Sequence, residues 1–154
     1  MTTVDDVLFA DTNVFLAATD RSRPMHASAR KLLEEAARGD RHVALSGQVV
    51  REYLVVATRP VGVNGLGLLT EDALANIDVF TRPPFQFCDE TEIVSQRLQK
   101  LIRDHGLAGK RIHDANIVAT MFASGIRHLV TLNEADFQSF EKIETVSLPS
   151  FLEP

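Results

Sequence analysis

Short apolar runs alternate along the chain with longer stretches whose apolar residues recur every three or four positions. Val7-Leu8-Phe9-Ala10 is a compact apolar run ending at Asp11, long enough for a buried strand and too short for a helix. Asp11, Thr12 and Asn13 follow, residue types that favour a turn at a strand end. Ala29, Leu32, Leu33 and Ala36 then recur at helical spacing, with Gly39 as a C-terminal stop. Residues 42–45 form a second strand candidate, and Ser46 is placed to cap a helix over 47–58. Arg59-Pro60 ends that helix, because a residue before proline is pushed out of the α region. Residues 61–69 carry three glycines and no helical pattern, so they read as a loop. Thr70 is placed to cap a helix with Ala73, Leu74, Ile77 and Phe80 on one face, closed by Pro83-Pro84.

A third short strand is expected at residues 85–88. Asp89 and Glu92 then have the spacing of a capping box, opening a helix with Ile93, Val94, Leu98, Leu101 and Ile102 as its apolar face. Gly106 and Gly109 break the chain before a helix from about 112 to 124, stopped by Gly125. Residues 128–132 and 143–148 complete the set as a fourth and fifth strand. Strands alternating with helices of roughly 10–15 residues predict an α/β sandwich whose mainly parallel sheet, of about five strands, is covered on both faces. In such sheets, sites form outside the carboxyl ends of the strands.

Composition narrows the class. At roughly 100–200 residues per domain, 154 residues without repeat, low-complexity tract or linker are expected to form one domain over 1–154. The single Cys88 excludes an internal disulfide and a cysteine-based zinc knuckle and fits a reducing cytosol. No apolar run approaches the ~18–20 residues that span a membrane, and the polar, acidic first six residues lack a signal-peptide pattern. A cytoplasmic protein without membrane contact is the expectation. Sixteen Lys and Arg against 21 Asp and Glu leave a net charge of −5, which argues against a general nucleic-acid coat.

The acids immediately after the strand candidates change the picture. Asp11 stands at the first strand tip beside Thr12 and Asn13. Glu52 lies in the helix after the second strand. Gln48, Arg51, Glu52 and Arg59 share one side of that helix, which by itself reads as a solvated polar face. Asp114 opens the helix Asp114-Ala115-Asn116-Ile117-Val118-Ala119-Thr120, where an N-cap is its ordinary role. His113 before it reads as a partly buried structural histidine. Asn133 and Asp136 follow the fourth strand, Asn133 beginning a turn and Asp136 on a short helical turn. Each position is ordinary alone, so the weight rests on their joint placement. Two carboxylates about 4 Å apart repel by roughly 4 kcal/mol at an effective dielectric near 20, so several at one sheet edge need a proton or a cation. Hard oxygen donors without Cys or paired His suit Mg²⁺ or Mn²⁺ rather than zinc. A divalent ion held by carboxylates serves phosphodiester hydrolysis well.

These segments resemble the motifs of a known family. Val7-Leu8-Phe9-Ala10-Asp11-Thr12-Asn13-Val14-Phe15-Leu16 is similar to the first motif of PIN-domain ribonucleases, particularly the VapC-type toxins of toxin–antitoxin pairs. Val49-Val50-Arg51-Glu52-Tyr53-Leu54 with Thr58-Arg59-Pro60 resembles the second motif, and His113-Asp114-Ala115-Asn116-Ile117-Val118-Ala119 the third. Leu129-Val130-Thr131-Leu132-Asn133 through Asp136-Phe137 resembles the fourth, so the likeness runs from about residue 7 to 146. It implies a PIN-like α/β/α sandwich and Mg²⁺- or Mn²⁺-dependent cleavage of RNA. It also implies a homodimer and a cognate antitoxin lying across the site. Carried over by position, Asp11, Glu52 and Asp114 become the catalytic, metal-binding acids. The fourth position, often acidic in the family, is here Asn133, leaving Asn133 acting through a water or Asp136 supplying the charge. Thr12 and Thr131 become residues that orient acids or water. Arg51, Arg59, Lys110 and Arg111 become candidates to steer RNA phosphates, and 12 of the 16 basic residues are Arg, which suits bidentate phosphate contacts.

Two other classes compete. An Asp-based phosphatase or receiver-like domain also places Asp at the first strand end, although Asn13 stands where a paired Asp-x-Asp would have its second acid. A PIN fold retained only for binding is the other.

Overall fold

A computed structural model describes residues 7–152. The first six residues, where the sequence lacks a signal-peptide pattern, lie outside the described residues. Five strands form the sheet: β1 (Val7–Ala10), β2 (His42–Ser46), β3 (Gln86–Cys88), β4 (His128–Val130) and β5 (Glu144–Val146). The helices are α1 (Thr12–Thr19), α2 (His26–Arg38), α3 (Gly47–Thr58), α4 (Thr70–Phe80), α5 (Glu92–His105) and α6 (Arg111–Ala123). The strand order is β3-β2-β1-β4-β5 and every pairing is parallel. With the right-handed crossovers general to parallel sheets, this strand order sets α1–α4 over one face and α5–α6 over the other. Accordingly α1 packs on α2 and α3, α3 on α4, and α5 on α6. This is the α/β sandwich expected from the alternation of elements.

Buried on both faces, the central strands β1, β2 and β4 are mostly apolar, with Phe9, Val43, Leu45 and Leu129 fully enclosed, whereas the edge strands β3 and β5 are partly exposed. An aromatic cluster fills the space between the helices of the first layer. The Phe80 ring lies 4.9 Å from Phe15, 5.8 Å edge-on to Tyr53 and 6.0 Å from Phe85. The buried Tyr53 hydroxyl bonds Thr19 Oγ1 at 2.9 Å and accepts from Asn76 at 3.0 Å, so its polar tip is satisfied inside the layer.

The helix at Thr12–Thr19 was not expected. The Asp-Thr-Asn tripeptide is not a turn but the direct passage from β1 into α1, with Asp11 as N-cap. Thr12, Val14, Phe15, Leu16 and Ala17 are all buried, so α1 has no polar face to write a 3.6-residue period into the sequence. The helix caps also differ from those the sequence predicts. Ser46 and Leu69 occupy the N-cap positions of α3 and α4 without a side-chain bond, so Thr70 is the first helical residue and not a cap. Thr91, not Asp89, precedes α5. The last helix starts at Arg111, which moves Asp114 from the cap into the first turn. The fourth strand ends at Val130 because Thr131 turns toward Asp11.

Segment 61–69 is strapped to the end of α3. Leu66, Leu68 and Gly67 donate to the carbonyls of Val56, Ala57 and Arg59 at 2.8–3.1 Å. A Cβ on Gly65 would stand 2.0 Å from the Arg59 carbonyl oxygen, so glycine is required there by close backbone approach.

Candidate active site at the strand-order reversal

From β1 the chain builds the sheet outward through β2 and β3, then returns to the other side of β1 for β4 and β5. Strand order therefore reverses between β1 and β4, and the crevice beyond their carboxyl ends is where open α/β sheets bind ligands. Asp11 and Thr131, the residues just past these two strands, meet in that crevice. The Asp11 N–H donates to Val130 O at 3.0 Å, and the Thr131 hydroxyl donates to Asp11 Oδ2 at 2.8 Å. Asp11 Oδ1 accepts from the Thr12 N–H at 2.8 Å. Asn13 completes the joint, accepting from the Leu132 N–H at 3.2 Å and donating to Thr131 Oγ1 at 3.4 Å.

Burial pushes the Asp11 carboxyl up to about 6. The Thr131 hydroxyl and Thr12 N–H pull it back down, while the negative charges of Glu52 and Asp114 add to the rise. Glu52, in the second turn of α3, accepts from the Thr12 hydroxyl at 2.7 Å and from Gln48 Nε2 at 2.8 Å. Asp114 is also raised, by burial first; Arg111 at 3.1 Å opposes this, and the charges of Asp136 and Glu52 reinforce it. Asp11, Glu52, Asp114 and Asp136, four separate stretches of sequence, thus share one electrostatic neighbourhood.

Asn133 and Asp136 stand exposed at its rim. The Asn133 N–H donates to Thr131 Oγ1 at 3.1 Å, and Asp136 lies on the short turn Glu134–Phe137. Arg111 ties α6 to that turn. It bonds Asp114, the Asp136 carbonyl and, at 3.3 Å, Ser139 Oγ, while its guanidinium lies over the Phe140 ring. Lys110 is exposed just before α6, and Arg51 is exposed on α3 with Glu90 at 3.8 Å. Arg59 does not join this group, because it ends α3 seven residues after Glu52, about 10 Å along the axis. The His113 side chain is exposed rather than partly buried, and its carbonyl is what the site uses.

Gln48 is the main correction. Only 3 % exposed, it belongs to no solvated face. Its Nε2 donates to Glu52 and to the His113 carbonyl at 3.0 Å, and its Oε1 accepts from Asn116 Nδ2 at 2.7 Å. Asn116 also donates to Glu90 Oε1 at 2.6 Å, and Glu90 Oε2 accepts from the Gln48 N–H at 2.9 Å. Glu90 therefore supplies to the start of α3 the acceptor that the Ser46 hydroxyl does not. Sequence reasoning missed Glu90 and Asn116 because their partners lie 42 and 68 residues away.

The donors here are hard oxygens, matching the chemistry of Mg²⁺ or Mn²⁺. Among the described residues, no three His, Cys, Asp or Glu side chains already converge closely enough to cage an ion. Mg²⁺ rarely asks for such a cage, since it keeps several waters and takes one or two carboxylates directly. Burial raises the Asp11 and Asp114 carboxyls, and neighbouring negative charges add to the rise, as expected of acids gathered in one crevice.

Comparison with known proteins places this geometry. The model of the PIN domain matches residues 8–143. Ribonuclease VapC48 of Mycobacterium tuberculosis is 32% identical over 134 residues, covering 86% of this chain and 91% of that protein. VapBC2 from Rickettsia felis, solved bound to a promoter DNA fragment, has a chain that superposes with a TM-score of 0.63 at 19% identity, covering 92% of this chain and 98% of its own. VapC20 of Mycobacterium tuberculosis, described as a sarcin-ricin loop cleaving toxin, superposes at 0.63 with 18% identity over 86% of this chain and 95% of its own. The fold, the order of the acid-bearing segments and the family match agree: the chain belongs to the PIN-domain family, among its VapC-type ribonucleases.

Proposed function

We propose that the chain is a Mg²⁺- or Mn²⁺-dependent endoribonuclease, the toxin of a toxin–antitoxin pair, acting as one domain from the crevice beyond β1 and β4. The observation that carries this is the meeting, at the strand-order reversal, of Asp11 held by Thr131 with Glu52 held by Thr12, close enough to Asp114 for the three acids to share one electrostatic neighbourhood. When bound, the divalent ion supplies a polarised phosphate oxygen and a water of lowered pKa. Asp11 and Asp114 would hold it directly. Glu52, fixed from both sides by Thr12 and Gln48, would hold it or orient its water. Thr131 keeps Asp11 turned into the crevice. Asn133 and Asp136 frame the rim, where Asn133 would contribute through a water and Asp136 would add charge beside Asp114.

Two of the chain's cations stand exposed on or beside the helices that carry Glu52 and Asp114. Arg51 and Lys110 are exposed there and would contact RNA phosphates, while Arg111 would neutralise charge next to Asp114. Arg59 is too distant to share that role. The Asp-based phosphatase reading loses support because Asn13 is committed to the Leu132 N–H and Thr131. By analogy with VapC relatives, the physiological state is a cytoplasmic homodimer held inactive by its cognate antitoxin. Among the described residues, no helix is long and apolar enough to cross a membrane.

Sequencing the ends of RNA incubated with the purified chain tests the reading. Discrete internal cuts that require Mg²⁺ or Mn²⁺ and vanish in the Asp114→Asn variant are expected. Metal binding without any cleavage would leave only a catalytically silent binding module.

A further inference from the structure

We infer that Gln48 is a positioning residue whose amide, locked by Asn116 and Glu90, aims Glu52 at the site and couples α3 to α6. The inference rests on the reading of Glu52 as a site acid. Its geometry is over-determined. The Gln48 nitrogen faces two groups that can only accept, the Glu52 carboxylate at 2.8 Å and the His113 carbonyl at 3.0 Å. That fixes the amide orientation, because the reversed amide would set its oxygen against both acceptors. The oxygen then faces Asn116 Nδ2 at 2.7 Å. Both N–H bonds of Gln48 and its carbonyl are thereby used, in a side chain almost wholly removed from water.

The network spans three elements. Gln48 and Glu52 are one turn apart on α3, Asn116 sits on α6 two residues after Asp114, and Glu90 follows β3. Glu90 grips both other members, accepting from the Gln48 N–H and from Asn116. Rotation of Glu52 away from Thr12 would therefore break the bond to Gln48, and with it the link to the first turns of α6. The two helices that carry Glu52 and Asp114 are registered against each other by neutral amides rather than by the acids themselves. Neutral donors suit the positions that touch Glu52, the Thr12 hydroxyl and the Gln48 amide, because a cation there would compete with the divalent ion for Glu52.

The test compares Gln48→Leu, Asn116→Ala and the double variant with the unaltered chain. Four quantities are read: Mn²⁺ affinity of the metal-free protein by electron paramagnetic resonance, kcat and KM of RNA cleavage, and the thermal midpoint. Orienting groups behind metal ligands typically contribute 10–100-fold to affinity or activity. Gln48→Leu is expected to weaken Mn²⁺ binding or lower kcat by about that factor, with KM for RNA within about two-fold. Asn116→Ala is expected to shift the same quantities in the same direction by less, and the double variant to be no worse than Gln48→Leu alone. A lowered midpoint with Mn²⁺ affinity and kcat within two-fold of the unaltered chain would show a purely structural role and overturn the inference. Additive losses in the double variant would overturn the coupling. Asn116 is a half-buried helical position where alanine favours the helix, so Asn116→Ala keeps the test decisive should Gln48→Leu fail to fold. An unaltered chain that binds Mn²⁺ but cleaves no RNA would instead count against the nuclease reading.

Discussion

At the scale of residues, the elevated Asp11 carboxyl makes stability and function oppose each other. Unfolded, this group titrates near the ordinary 3.8; folded and without metal it is held up to about 6. The folded chain therefore binds the proton more tightly, a contribution fully present below about pH 4 and lost as pH rises through 6. From the ordinary 3.8 to about 6 corresponds to roughly 3 kcal/mol against the folded state at neutral pH. Asp11→Asn carries no such charge. In chelator at pH 7 it is expected to be more stable than the unaltered chain by up to about 3 kcal/mol, the gap closing toward pH 4. Urea unfolding across that range measures it, and a gap independent of pH would remove the basis for treating Asp11 as a desolvated acid. Tyr53→Phe supplies a contrast with no link to the site. Asn76 loses its acceptor, and a cost of about 1–2 kcal/mol is expected without loss of cleavage by the folded protein.

At the scale of elements, what could be read from the sequence followed from whether an element has two unlike faces. The apolar stripe Ala29, Leu32, Leu33 and Ala36 announced α2 because its other side meets water. Helix α1 has little such side and was invisible. Asp11, Asn133 and Asp136 could be placed at strand ends, and Glu52 and Asp114 on helices, since short apolar runs and their polar ends are local features. The brace behind Glu52 could not, because Gln48, Asn116 and Glu90 meet only through the sheet. The polar wheel of α3 even pointed the wrong way, as a buried amide and a solvated one look alike in sequence. Caps failed for the same reason, and the start of α3 borrows its carboxylate from beyond β3. Glu90→Ala is accordingly expected to cost about 1–2 kcal/mol, as lost caps do, and to lower the thermal midpoint by a few degrees. An unchanged midpoint would mean that the Gln48 N–H finds an equal partner in water. Gly65→Ala would drive a Cβ into the Arg59 carbonyl and should shift the strap over 61–69, at a cost of at least about 1–3 kcal/mol.

For the molecule as a whole, a net charge of −5 argues against broad adhesion to nucleic acid but not against cutting it. Several acids are concentrated where a cation would reverse the local sign. Contacts from Arg51 and Lys110 alone imply a shallow salt dependence. RNA affinity of an inactive Asp11→Asn chain should fall with salt at a logarithmic slope of about −0.7 per phosphate neutralised, and each of the two cations removed should take away one such increment. The central claim is tested most directly by single-turnover cleavage of end-labelled RNA in Mg²⁺ and in chelator, with the unaltered chain beside Asp11→Asn and Asp114→Asn. Metal-dependent internal cleavage by the unaltered chain alone, with both variants folded and reduced at least about 10²-fold, is the expected result. Equal cleavage by the variants, or cleavage indifferent to chelator, would contradict a nuclease centred on these acids.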